Sequence, residues 1–101
     1  MEPMKTPLRP TQEQAEMLAI QALGFIAEGP ERLGRFLDLT GIPVEHIRAA
    51  ARERGFLAGV LEHMLGDENL LIAFAASAGI DPGMIARALS VLGGPEESRV
   101  P

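Results

Sequence analysis

Two histidines, two interior serines and a group of arginines are the residues with chemistry to offer. His46 and His63 each follow a glutamate, in Glu45-His46 and Glu62-His63. A metal site needs three or four ligands converging on one point, and beyond these pairs the chain supplies only scattered carboxylates. Nothing in the spacing brings the pairs together. Both histidines therefore read as solvated or half-buried residues on helix surfaces, and Glu62 and His63, opposite an apolar stripe, favour the solvated case. Ser77 and Ser90 have no local His or acid placed to activate a hydroxyl; Ser77 is expected to return its hydroxyl to a carbonyl one turn earlier. Gly55 and Gly93-Gly94 lack the strand-turn-helix context of a phosphate loop. The chain has no cysteine, which excludes disulfides, thiolate metal sites and cysteine nucleophiles. The expectation is a non-enzymatic protein with no cofactor and no metal.

Arg32, Arg35, Arg48, Arg52 and Arg54 are five of the nine basic residues and fall in one segment. They are the candidates for contact with a nucleic acid or another partner. The net charge of −5 argues against a strong polyanion binder, and the C-terminal half is acidic. The arginines lie beside a helix-turn-helix spacing: a small or apolar residue four before a glycine and a β-branched one six after it. Leu37, Gly41 and Ile47 fit it, as do Ala75, Gly79 and Ile85. A groove-reading helix needs donors near its start. Pro43, Val44, Glu45 and His46, then Arg48 and Arg52, are poor; Asp81, Pro82, Gly83 and Met84 are worse. The spacing reads first as a packing device, in which glycine permits a tight turn between two steeply crossed helices.

Helices must position all of these residues. The stretch Asp67–Gly79 is apolar nearly all round, which predicts a central helix, and its apolar run is too short to span a bilayer. A length of 101 residues sets one domain, and 47% hydrophobic with only 4% aromatic residues sets an aliphatic core. Residues 1–10 read as a flexible arm without the apolar segment of a signal peptide, 11–94 as one helical domain and 95–101 as an acidic tail. A cytoplasmic location is the default.

The elements follow from their ends. Thr11 and Gln14 form a capping box for a helix to about Ala27, with Ala15, Leu18, Ala22, Leu23 and Ile26 inward and a second apolar strip at Met17, Ile20 and Gly24. Pro30 starts a second helix with Leu33, Phe36, Leu37 and Thr40 inward, and Gly41 ends it. Pro43 opens a short third helix. Phe56, Leu57, Val60, Leu61, Met64 and Leu65 mark the fourth. Asp67 caps the fifth, Gly79 ends it, and Asp81-Pro82 opens the sixth through Met84, Ile85, Ala88, Leu89 and Leu92. A shift of 38 positions lays Leu23 on Leu61, Phe36 on Phe74, Gly41 on Gly79 and Ile47 on Ile85. The fold class is thus all-α: a compact bundle of about six short helices in two pseudo-symmetric three-helix units, about 16–54 and 54–92.

The strings Ala22–Ile26, Pro30–Leu37 and Gly55-Phe56-Leu57, with Asp67-Glu68 and Ala78–Pro82, resemble a family of small bacterial proteins catalogued as a domain of unknown function. The likeness covers about 12–94. It implies a compact all-helical fold and supplies no activity, ligand or site residues. The expected role is that of a protein-interaction or structural module whose partner is another protein or itself, as a possible homodimer. Met17 and Ile20 are the self-association candidates, being more than one face of so small a bundle can bury. The alternative is a weak nucleic-acid-binding regulator using the five arginines; a small-molecule pocket between the two units is a third.

Overall fold

The computed structural model describes residues 10–93; the N-terminal arm, all but Pro10, and the acidic tail fall outside them. Six helices appear and, among the described residues, no strand. Helix α1 spans Gln12–Glu28. Its capping box is formed: Gln14 N–H donates to Thr11 Oγ1 at 3.1 Å and Thr11 N–H to Gln14 Oε1 at 2.9 Å. The buried face is Ala15, Leu18, Ala19, Ala22, Leu23 and Ile26, whose alanines let other helices approach closely.

Helix α2, Pro30–Thr40, follows after Gly29 alone, which ends one helix and begins the next. The reversal is held by Arg32, whose Nε and Nη2 both donate to the Phe25 carbonyl, at 3.1 and 2.7 Å. Its guanidinium lies 4.1 Å from the Phe25 ring centre. A Cβ at residue 29 would sit 2.6 Å from Arg32 Cζ, so the glycine makes room for the clasp. Phe36 is the one fully buried side chain of α2. Thr40, expected inward, is exposed because its hydroxyl donates back to the Phe36 carbonyl at 2.8 Å.

Gly41 stops α2 at φ 72°. A 3-10 turn, Val44–His46, leads into α3, only Ile47–Ala50. Helix α4, Arg54–Leu65, buries Leu57, Ala58, Val60, Leu61 and Met64. Helix α5, Glu68–Ala78, is capped by Asp67, whose Oδ1 accepts from Leu70 N–H at 3.2 Å. It ends at Gly79 with φ 70°. The Asp81 carboxylate accepts from Gly83 N–H at the start of α6, Gly83–Leu92, which buries Ile85, Ala88 and Leu92.

Two expectations fail here. The centre is not α5 but the trio α1, α4 and α6, which pack mutually. Helix α5 packs on α4 and sets the Phe74 ring 5.6 Å, centre to centre, from the Phe25 ring of α1; it buries Leu70, Phe74 and Ala75 and leaves Ile72, Ala73 and Ala76 in solvent. Its apolar surround is mostly alanine, whose small side chain gains little from burial. The two-unit symmetry is also not found. Phe36 and Phe74 are both buried and Gly41 and Gly79 both left-handed, but the third helices differ. Helix α6 packs on both α1 and α4; α3, its counterpart, packs closely on neither. Ile85 is fully buried, Ile47 half-buried.

Candidate functional site

The helix joints make a polar cleft of about 340 Å³ between α2 and the α4–α5 turn, beside a shallower depression that shares Arg35, His63 and Asp67. Glu31, Arg32 and Arg35 line it from α2; His63 comes from the last turn of α4, Asp67 from the joint, and Asn69, Leu70 and Ala73 from α5. Arg35 Nη1 donates to Asp67 Oδ2 at 3.0 Å. Both Asp67 oxygens are then engaged, one by the cap and one by Arg35. The arginine side chain is 65% exposed, so the pair adds little stability.

His63 departs from the solvated-face expectation. It is half-buried, and its Nε2 is enclosed with no hydrogen-bond partner among the described residues. Its ring stands edge to face with Phe36, centres 5.1 Å apart, and Phe36 makes a second such contact with Phe56 at 5.9 Å. Phe56 and His63 are seven residues apart, one side of α4, and that spacing is the signal in the sequence that marks His63 as packed. Burial lowers its pKa below the usual imidazole value; Asp67 opposes the shift and Arg35 adds to it. The imidazole is therefore neutral at pH 7. A base needs its nitrogen within reach of a proton to abstract, and Nε2 is enclosed. The three rings join α2 to α4.

Of the five arginines, the cleft takes Arg32 and Arg35 and not Arg48, Arg52 or Arg54. Arg32 is committed to Phe25, and the other three are exposed on α3, in the turn after it and at the start of α4. Helices α5 and α6 meet at 98°, the steep crossing that the glycine spacing implies. The exposed positions of α6, however, are Gly83, Ala86 and Ser90; its one cation, Arg87, has a side chain 40% exposed and 4.0 Å from the Asp81 carboxylate, too little for a run of phosphates, and α3 is a single turn. His46 is exposed on the 3-10 turn, apart from the cleft lining, and no group of three potential metal ligands occurs among the described residues.

Opposite the core, α1 presents Met17 and Ile20 to solvent, 59% and 49% exposed. Gly24 and Ala27 continue the strip. Among the described residues, Leu39, Val44 and Ile72 are the other large apolar side chains in solvent, on α2, the 3-10 turn and α5.

The family model described as "Protein of unknown function (DUF3572)" matches residues 12–95, from the first residue of α1 to beyond the end of α6. The chain belongs to the DUF3572 family. The family match bears on extent and adds no activity. No curated protein and no solved structure matches. No single described helix is long and apolar enough to cross a membrane; α5 and α6 together reach that length, but with the 98° bend between them.

Proposed function

We propose that the chain is a non-enzymatic, cytoplasmic protein-interaction module that works through the outer face of α1, taking up another protein or a second copy of itself. The observation that carries this reading is the exposure of Met17 and Ile20 on the side of α1 turned away from Ala15, Leu18, Ala22 and Ile26. Isolated apolar residues on a surface need no explanation. A strip one turn apart on the longest helix differs, because it forms a continuous seam of the kind a partner helix covers. At the cleft, Arg35 and Asp67 are spent on each other and on the cap of α5, and so it ranks below α1.

A photo-reactive residue at position 17, expressed in the native cell, tests the reading. Discrete crosslinked species are expected, whether with a second copy or with another protein, and Ile20→Glu should abolish them. If position 17 captures nothing while the same probe at Ile72 does, the interaction face is not on α1.

A further inference from the structure

The outer face of α1 has a charge pattern as well as an apolar one. Along Gln12–Glu28 the charged residues are Glu13, Glu16 and Glu28, with no Lys, Arg or His. At 3.6 residues per turn, Glu13, Met17, Ile20, Gly24, Ala27 and Glu28 fall within roughly 100° of arc. All six are exposed. The face is thus an apolar seam with a carboxylate at each end, the two about 22 Å apart along the axis. At its middle a Cβ on Gly24 would meet nothing within 4 Å, so the seam has a notch between Ile20 and Ala27.

That pattern selects between occupants. A second copy laid antiparallel can seat Met17 at the Gly24 notch of its mate, but the same register sets Glu13 against Glu28 at both ends. A parallel pair sets Glu13 against Glu13. Either way like charges meet, in a chain whose net charge is already −5, and like charges juxtaposed across an interface work against the pairing. The strip is also narrow: roughly 22 Å by one helix width is well short of the ~800 Å² per partner of a standard stable interface. An anionic membrane surface is repelled for the same reason. Opposite charge on the partner removes the conflict and fixes its register.

We infer that the partner is a cationic amphipathic helix of about four turns, with an apolar stripe for Met17, Ile20 and the Gly24 notch and Lys or Arg near each end for Glu13 and Glu28. This rests on the reading of α1 as the interaction face. Charge then supplies encounter rate and orientation, and the apolar seam supplies residence.

The probe is a fluorescein-labelled helical peptide of about 15 residues, made of leucine and lysine with the leucines on one stripe. Its anisotropy is titrated with the full chain at about 20 mM and about 300 mM NaCl. Three comparisons accompany it: a scrambled peptide of the same composition, a leucine–glutamate peptide, and sedimentation of the protein alone. Binding to the first peptide only is expected. Met17→Gln with Ile20→Gln should weaken it about tenfold or more, as loss of central apolar anchors does. Glu13→Gln with Glu28→Gln should remove most of the salt dependence, and Ile72→Gln should change nothing. Every substituted position is exposed, and circular dichroism checks that each variant folds.

Equal binding of the scrambled peptide, indifference to the Met17 and Ile20 changes, or no binding at low salt overturns the inference. Dimerisation through α1, detected by sedimentation and abolished by Ile20→Glu, also overturns it while leaving the interaction reading standing. Absence of any adduct at position 17 in cells removes both.

Discussion

Arg35 reaches Asp67 across 32 residues of sequence, Nη1 to Oδ2 at 3.0 Å, and it does so on a carboxylate already employed as the N-cap of α5. The two contacts have unequal worth. The cap satisfies a backbone N–H that α5 cannot satisfy internally, whereas the ion pair is largely open to water. Asp67→Ala should therefore lower stability by about 1–2 kcal/mol, and Arg35→Ala by less than about 1 kcal/mol. Asp67→Asn, which keeps an acceptor, should resemble Arg35→Ala. Urea denaturation of the three variants measures the order; an Asp67→Asn loss as large as that of Asp67→Ala would make the charge the dominant part.

His63 gives the fold a pH dependence of definite sign. Its pKa is lowered in the folded state, chiefly by burial, so between the folded and ordinary values the unfolded chain binds more protons. Stability then rises with pH. The loss begins as pH falls through the ordinary value of 6.5 and continues to the lowered one; above that window His63 contributes no slope. His63→Phe keeps a ring beside Phe36 and removes the titration. Chemical denaturation from about pH 7.5 to about pH 5.5 should show wild type losing stability relative to His63→Phe, and parallel curves would refute this.

Gly29 and Arg32 should behave as one unit. A methyl at residue 29 displaces the guanidinium from the Phe25 carbonyl, so Gly29→Ala removes the bonds that Arg32→Ala removes. Each is expected to cost about 1–2 kcal/mol, the range for a hydrogen bond to a charged group. The double variant should cost little more than either alone. Full additivity in a double-mutant cycle would separate them.

What could be read from the sequence is what has a local cause. The Thr11 and Gln14 box, the Asp67 cap and the left-handed Gly41 and Gly79 are all set by residues within one turn, and each stands where the sequence puts it. The order of the helices in space is not local. Alanine is counted as apolar yet tolerates water, so Ala73 and Ala76 made α5 look enclosed when it is peripheral. The cleft was illegible because Arg35 and Asp67 meet only after α2 folds back, although the Phe56 and His63 spacing marked one wall. The doubled caps were real; the symmetry they suggested fails because α3 is a single turn and cannot take the central place of α6. This unequal packing has a measurable side. Ile85→Ala should cost about 2–5 kcal/mol, as for fully buried aliphatic truncation, and Ile47→Ala less than half of that. Equal losses in thermal unfolding would restore the duplicated-unit picture.

Glycine at two positions separates backbone need from surface use. Gly79 sits at φ 70°, where a Cβ meets the following carbonyl, so Gly79→Ala should destabilise by roughly 1–2 kcal/mol. Gly24 is interior to α1, exposed, and has open space where a Cβ would stand. In that setting glycine is worse than alanine by roughly 0.5–1 kcal/mol. Gly24→Ala should therefore raise the melting temperature of the isolated chain while Gly79→Ala lowers it. The fold alone supplies no reason for the weaker residue at 24, whereas a helix seated in the notch does. Gly24→Leu should accordingly leave the isolated protein folded and weaken the cationic peptide, and unchanged peptide binding would show that the notch is not used.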